Sequence, residues 1–210
     1  MRTFCRAVAA GLGIALALLA GAAWAAAAAE EEERSRRADA VIVGVWGGWL
    51  SAEGFREWFI PPLEMEDHYL AGISLGRELV PLGQVFVVEA ELYGAHHWGP
   101  FRGDSQAYQE LAGLGLLRWR EMPWDRSLDT SIAFGLGVSG VTEDPEHERR
   151  INGSTDQVLC AMALEFTAAL PSLPEWELAF RVHHRSGVWG LIGDVKGGSN
   201  YLTLGLKRRF

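Results

Sequence analysis

Residues 183–186 read His-His-Arg-Ser, a short run that contains the residue types of a hydrolase site. A serine hydroxyl becomes a strong nucleophile when a neighbouring imidazole takes its proton, and that imidazole needs a third group to orient it. The surrounding stretch, ELAFRVHHRSGVWG, alternates between apolar and polar residues, which predicts a β-strand. Side chains two residues apart in a strand share a face, at roughly 6–7 Å between Cα atoms. His184 and Ser186 therefore lie on one face, and His183 and Arg185 lie on the other.

The same alternation recurs along most of the chain and predicts an all-β fold with eight strands. The predicted strands are residues 38–49, 68–79, 84–94, 106–119, 130–139, 156–170, 175–186 and 199–210. Their connections alternate in length. The long ones are 50–67, 95–105, 140–155 and 187–198, and the short ones are 80–83, 120–129 and 171–174. This arrangement predicts an antiparallel barrel with long loops at one end and short turns at the other.

The first 29 residues have the layout of a secretory signal peptide. Arg2 and Arg6 precede an apolar run, and Ala23-Trp24-Ala25 supplies a cleavage site of small residues. The run is also long enough for a retained membrane anchor. We expect cleavage, followed by a charged leader over 30–37 and a barrel over 38–210. Removal of the signal leaves one cysteine, Cys160, so no internal disulfide is expected.

One face of each predicted strand is apolar and the other is charged, which fits two kinds of barrel. A soluble lipocalin-like barrel has its apolar face inside, and an outer-membrane barrel has it outside. The signal peptide, the loop asymmetry and the last strand, YLTLGLKRRF, favour the outer-membrane barrel. Its alternating leucines and terminal Phe210 resemble the signal by which bacterial outer-membrane barrels engage the barrel-assembly machinery. Four tryptophans near strand ends are predicted to form aromatic girdles: Trp46, Trp49, Trp119 and Trp176.

In this architecture the charged faces line a lumen just wide enough for side chains. We expect ten charged residues to point inward and to pair with one another: Glu89, Glu91, Glu110, Arg118, Glu165, Glu177, Arg181, Arg185, Lys207 and Arg209. Because paired side chains are expected to fill the lumen, we do not expect the barrel to conduct solutes. Function is therefore expected on the outer wall or in the loops. The net charge of −8 argues against a nucleic-acid partner.

An even number of strands puts both termini in the periplasm and the long loops outside the cell. By parity His184 and Ser186 then face lipid near the extracellular end of the seventh strand, and Asn200 does so on the eighth. Polar groups that face lipid cost free energy unless they are paired, so this convergence suggests a functional role. The substrate would be an ester at the boundary between acyl chains and headgroups.

His-x-Ser before a glycine-rich loop and a last strand ending in Phe resembles the lipid A 3-O-deacylase family, PagL. The resemblance covers mainly residues 175–210 and implies an eight-stranded outer-membrane barrel that deacylates lipid A in lipopolysaccharide. It implies Ser186 as nucleophile and His184 as general base, without metal or cofactor. The family has an asparagine directly after the serine, where this chain has Gly187, whose backbone N–H would serve the oxyanion. The family's acid falls at Asn200, and Asp194 is an alternative acid.

Three hypotheses follow: a serine esterase of the outer membrane, a non-catalytic barrel with a structural or surface-adhesion role, and a soluble periplasmic lipid carrier. Other polar clusters are expected to be structural. His96-His97 is predicted to be a polar cluster at a loop edge, since no ligand pattern supports a metal site. The acidic run Glu143, Asp144, Glu146 and Glu148 is predicted to be a solvated loop, with Arg149 and Arg150 as possible contacts for lipopolysaccharide phosphates.

Overall fold

In the computed structural model, eight antiparallel strands close into one barrel in which each strand pairs with the next and the last pairs with the first. The structure describes residues 40–52, 64–101, 104–120, 122, 124 and 127–210. The chain divides into two units, 1–39 and 40–210, and every described residue belongs to the second. The predicted signal peptide (1–29) and charged leader (30–37) lie outside the described residues.

The eight-stranded antiparallel prediction is confirmed. The strands are β1 (Val41–Ser51), β2 (Met65–Leu82), β3 (Phe86–Phe101), β4 (Asp104–Trp119), β5 (Asp129–Val141), β6 (Val158–Ala169), β7 (Trp176–Ser186) and β8 (Gly198–Arg209). A short helix, α1 (Glu146–Asn152), lies between β5 and β6. We call the end where β7 ends and β8 begins the upper rim, and the opposite end the lower rim. Within the described residues, the helical part of the chain lacks the length and apolar character that a membrane-spanning helix needs.

Every strand has an apolar outer face, as a membrane-spanning barrel requires. Side chains such as Ile73, Leu111 and Leu178 are about 60% exposed around the wall, with Ile73 at 66%. The inward residues of the same strands are buried and include most of the charged groups. An apolar exterior around a polar interior is the reverse of a soluble carrier, so the structure favours the transmembrane barrel over the lipocalin-like alternative.

The lumen is filled by paired charges, as predicted. Glu165 is fully buried and lies at the centre of this luminal ion network, where it contacts three cations: Arg118 at 2.6 Å, Arg181 at 2.5 Å and Lys207 at 2.7 Å. Arg118 also binds Glu89 at 2.7 Å, and Arg181 binds Glu91 at 2.6 Å. All ten predicted inward residues have partners inside the barrel: the set is completed by Glu110 with two histidines, Arg185 with Glu148, and Arg209 with Glu177. These buried ion pairs occupy the interior of the barrel at this level.

One predicted long loop is wrong. Residues 95–105 were expected to connect two strands, but β3 continues to Phe101 and β4 starts at Asp104, and these two residues pair. The histidine, glycine and proline residues of this stretch look like turn residues in the sequence. In the hairpin they are strand residues, with His97 bonded inward to Glu110 at 2.9 Å and His96 bonded outward to Gln109 at 2.9 Å. The polar pair is therefore part of the barrel wall and not of a loop edge.

Trp46 is the second correction, because it points into the lumen and not into an aromatic girdle. Its indole N–H donates to the Ser74 hydroxyl at 2.9 Å, and the Arg181 guanidinium stacks 4.1 Å from the ring centroid. A Cβ at Gly205 would lie 2.4 Å from the indole, so a glycine is required there. Trp49 and Trp119 do face outward, each 44% exposed.

Glu165→Gln should strongly destabilise the barrel, because it removes the carboxylate that three buried cations share. Breaking a buried ion pair by removing one partner costs about 3–5 kcal/mol. We expect a lower urea midpoint of the refolded protein in detergent micelles and a lower temperature for its heat-dependent gel shift. Glu143→Gln, in an exposed position, serves as control and should leave both unchanged. Equal midpoints for the two variants would contradict a stabilising role of the network.

Candidate functional site

The site lies on the outer wall at the upper rim, where β7 and β8 pair. His184 is directly opposite Asn200 in the register, and Ser186 is opposite Gly198. The His184 Nδ1 atom lies 2.8 Å from the Asn200 side-chain oxygen and 3.1 Å from the Ser199 carbonyl oxygen. A backbone carbonyl can only accept a hydrogen bond, so Nδ1 carries the proton. This tautomer gives Nε2 the lone pair that a general base needs.

Ser186 is the last residue of β7 and shares the outer face with His184. Its hydroxyl oxygen accepts a hydrogen bond from the Val188 backbone N–H at 3.1 Å. The chain turns sharply here, and both Val188 and Trp189 adopt left-handed conformations, with φ of 50° and 56°. A serine at the end of a strand, followed by a strained turn, presents its hydroxyl at the rim instead of burying it in the sheet.

Asn200 lies on the predicted face but is only 2% exposed. Strand β8 lies between β7 and β1, so Asn200 is flanked by His184 on one side and by Ser51 on the other. The alternative acid, Asp194, is exposed in the β7–β8 connection with a φ of 53°. The structure therefore brings His184 and Asn200 together, and the group that binds Nδ1 is an amide and not a carboxylate.

Gly187, whose backbone N–H is predicted to serve the oxyanion, lies where β7 passes into the connection to β8. Its backbone N–H donates to the Gly197 carbonyl at 3.1 Å and is therefore engaged within the loop. A Cβ at position 187 would lie 2.0 Å from the Val195 carbonyl oxygen, so the close approach of two chain segments requires a glycine. The backbone donor beside the serine is Val188, which the sequence analysis missed, because the donor direction depends on the turn geometry.

An apolar groove runs down the outer wall from His184. It is a shallow depression in the wall, and it lies across β5, β6 and β7. Its lining residues are Phe134, Met162, Ala163, Leu164, Val182 and His184. Met162 is directly opposite His184 in the register, and Leu164 is opposite Val182. The imidazole therefore forms the upper end of an apolar track that points toward the middle of the wall.

Helix α1 corrects the prediction of a solvated acidic loop. Glu148 is fully buried inside the upper rim and accepts hydrogen bonds from Arg185 at 2.6 Å, Thr155 at 2.5 Å and Ser199 at 2.8 Å. Arg149 and Arg150 lie on the exposed side of α1 and pair with Glu146. Charge alone could not distinguish Glu148 from its exposed neighbours, since its partners come from β7 and β8, far along the chain.

A second polar cluster lies in the lumen behind the site. His183 points inward, as its parity predicts, and its Nε2 contacts Glu110 at 2.9 Å. His97 binds the other oxygen of Glu110 at the same distance. In the described part of the chain, no three His, Cys, Asp or Glu side chains are arranged to hold a metal ion. Of the two adjacent histidines, His183 belongs to the barrel interior and His184 to the outer wall.

The chain is similar to solved structures of outer-membrane barrels. The chain is similar to the crystal structure of the outer membrane enzyme PagL, with a TM-score of 0.52 and 13% identity over 80% of this chain and 98% of that one. Neisserial surface protein A (NspA) follows with a TM-score of 0.49 and 11% identity, over 81% of this chain and 97% of that one. The N-terminal β-barrel domain of Pseudomonas aeruginosa OprF has a TM-score of 0.46 and 13% identity, over 82% of this chain and 98% of that one.

No protein-family model and no curated protein sequence matches the chain. At 13% identity the similarity to PagL concerns the fold, an eight-stranded outer-membrane barrel. It does not extend to individual catalytic residues. The function must therefore be argued from the site itself.

Gly187→Ala should displace the β7–β8 connection while leaving the barrel folded, because the added methyl group meets the Val195 backbone. We expect faster proteolytic cleavage within residues 187–197 and an unchanged heat-dependent gel shift. Gly47→Ala is the matched control, since its added Cβ meets nothing within 4 Å. Equal cleavage rates in the two variants would contradict the requirement for glycine at position 187.

Acid should weaken the docking of α1, because burial beside His68, His97 and Arg185 holds the pKa of His147 well below its usual 6.5. Below about pH 6.5 the unfolded chain binds a proton that folded His147 does not, so stability falls as the pH decreases. Tyr108 and Tyr201 also contact this ring, and the neighbouring Glu148 is paired with Arg185.

His147→Phe keeps an aromatic ring and removes this titration. Between pH 7.5 and 5.0 the wild type should lose up to about 2 kcal/mol more unfolding free energy than the variant. The measurement is urea unfolding in micelles at both pH values. His68 and His97 are present in both proteins, so their contributions cancel in the comparison. Identical losses in the two proteins would argue against a neutral buried His147.

Proposed function

We propose that this protein is an outer-membrane serine esterase that removes an ester-linked acyl chain from lipid A of lipopolysaccharide. The observation that carries the proposal is the oriented imidazole on the outer wall. His184 donates from Nδ1 to Asn200 and Ser199, and Ser186 lies two residues further along the same face. A histidine held in one tautomer, two residues from a half-buried serine on the same strand face, is an arrangement that can activate a hydroxyl nucleophile.

The position of the pair on the barrel supports a lipid substrate. Both side chains lie on the apolar outer face and at the upper rim, where the wall gives way to connections. In a membrane barrel this height corresponds to the boundary between acyl chains and headgroups. An ester that links an acyl chain to a sugar lies at the same depth. A water-soluble ester would not partition to this lipid-facing surface.

The groove below His184 supports the acyl part of the substrate. Its lining is apolar except for the imidazole at its upper end. An acyl chain that lies along this shallow apolar surface would bring its carbonyl carbon to the level of His184 and Ser186. Such positioning by a remote part of the substrate lowers the entropic barrier of the reaction.

In the proposed reaction the Ser186 oxygen attacks the acyl carbonyl carbon while Nε2 of His184 takes the hydroxyl proton. The Val188 N–H, already 3.1 Å from the serine oxygen, donates to the oxyanion of the tetrahedral intermediate. Collapse of this intermediate breaks the ester bond, and the leaving sugar oxygen receives the proton from His184. Water then attacks the acyl-enzyme with the same base, releasing a fatty acid and restoring Ser186.

Asn200 gives this site a different character from a triad with an acid. An amide oxygen holds the imidazole in one tautomer, as in Cys–His–Asn hydrolases, but it carries no charge to stabilise imidazolium. The Ser199 carbonyl adds a second acceptor to Nδ1. Two neutral acceptors on one nitrogen supply orientation and partial negative charge in place of a carboxylate.

Ser186→Ala should abolish deacylation, because it removes the nucleophile without disturbing the barrel. A loss of about 10³-fold or more is expected for removal of a nucleophilic serine. Wild type and variant are expressed in a Gram-negative host, and its lipid A is analysed by mass spectrometry. Only the wild type should shift lipid A by the mass of one ester-linked acyl chain. Ser172→Ala, at the exposed lower rim, should behave as wild type.

The same comparison distinguishes the enzyme from a non-catalytic barrel with a structural or adhesive role. Identical lipid A spectra for wild type, Ser186→Ala and Ser172→Ala, with all three folded as judged by their gel shift, would exclude the deacylase function for that lipid A. Loss of the acyl chain in cells that express Ser186→Ala would instead point to a different nucleophile.

A further inference from the structure

The β7–β8 pair has an inner face directly behind the candidate site. Arg185 and Ser199 are opposite each other in the register, one residue along from the His184–Asn200 pair on each strand. Both side chains point into the lumen and both are buried. Two cross-strand pairs therefore lie next to each other on the two faces of the same piece of wall.

Glu148 of α1 joins the inner pair. One carboxylate oxygen accepts from the Arg185 guanidinium at 2.6 Å, and the other accepts from the Ser199 hydroxyl at 2.8 Å. The carboxylate is fully buried, so water does not compete for these bonds. A single side chain from the β5–β6 connection thus bridges the ends of β7 and β8 at the level of the site.

A second contact holds α1 against the same place. The Asn152 side-chain amide donates to the Gly198 carbonyl at 3.1 Å. A Cβ at Gly197 would lie 1.8 Å from the Asn152 side-chain oxygen, so the helix end packs closely on the start of β8. The orientation of α1 relative to residues 197–199 is therefore defined by contacts at both ends of the helix.

Ser199 connects the inner and outer faces. Its hydroxyl donates inward to Glu148 at 2.8 Å, and its backbone carbonyl accepts outward from His184 Nδ1 at 3.1 Å. Both bonds are attached to the same stretch of backbone, so a displacement of this backbone would carry the carbonyl away from the imidazole, and the bond to Glu148 opposes that displacement. A carboxylate that does not touch His184 is thus bonded to the residue whose carbonyl accepts from the imidazole.

We propose that Glu148 is a positioning residue of the esterase, acting through Ser199 on His184. This inference rests on the proposed function and adds to it the origin of the imidazole's orientation. Arg185 already offsets the charge of Glu148, so the contribution is geometric. Glu148 holds the Ser199 carbonyl in line with Nδ1 while the imidazole accepts and releases its proton. Glu148 thereby adds support for an imidazole whose partner at position 200 is an uncharged amide.

Ser199→Ala is the sharpest test, because it deletes the link and keeps the Arg185–Glu148 ion pair. Glu148→Gln perturbs the same link from the other side. Ser131→Ala is the matched control, since Ser131 is also a buried luminal serine, bonded to Arg118 and Thr167. Glu165→Gln controls for loss of stability, because it removes a buried carboxylate from the ion network below.

The first readout is the ¹⁵N NMR spectrum of histidine-labelled protein in detergent micelles, with the His184 signal identified by its absence in His184→Gln. We expect the Nδ1–H resonance of His184 to shift or broaden in Ser199→Ala and Glu148→Gln and to stay in place in Ser131→Ala and Glu165→Gln. An unchanged His184 signal in both test variants would overturn the inference, whether or not the protein is an enzyme.

The second readout is the rate of deacylation of lipid A in micelles as a function of pH. Loss of positioning should lower kcat about tenfold or more, with KM within about twofold of the wild-type value. It should also shift the pH below which protonation of His184 stops deacylation. The double variant should be no worse than the worse single variant, since both act through one link. Wild-type kinetics in both test variants, together with an inactive Ser186→Ala, would refute the positioning role without contradicting the proposed esterase function.

Discussion

Glu165 lies in the middle of the lumen and contacts three cations that come from three different strands: Arg118, Arg181 and Lys207. An eight-stranded barrel has room inside for side chains but not for a bulk water channel. Every charge that the strands turn inward must therefore find its partner among the others. This requirement aligns the strands in register, closes the pore and leaves the outer wall and the rims as the places where the protein can act on another molecule.

The same alternation that fills the lumen also makes one strand pair serve two purposes. At the upper rim the outward residues of β7 and β8 are His184 and Asn200, joined through Nδ1, and the inward residues are Arg185 and Ser199, joined through Glu148. An unpaired polar group on the lipid face would cost free energy, but His184 is hydrogen-bonded across the strands to Asn200 and to the Ser199 carbonyl. The rigid sheet holds the imidazole, and the strained turn after it holds the serine.

Much of the fold could be predicted from period-two alternation, which identified all eight strands and the inward direction of ten charged side chains. The assignment of His183 to the interior and of His184 and Asn200 to the outer wall follows from the same rule, whereas the expectation that Asn200 orients His184 came from the family resemblance. The rule fails where residue type suggests a break that the sheet does not make. His96, His97, Gly99 and Pro100 look like a loop, but β3 and β4 continue through them because both histidines find partners across the hairpin.

The sequence by itself determined the face of the wall for most strand residues, because side chains alternate between the two faces along a strand. It could not determine what approaches that wall from a distant segment. Glu148 is buried behind β7 and β8, the Trp46 indole packs on the Arg181 guanidinium, and the Gly187 N–H donates to Gly197. Each of these depends on contacts between loops and strands far apart in sequence, and only the closed barrel brings them together.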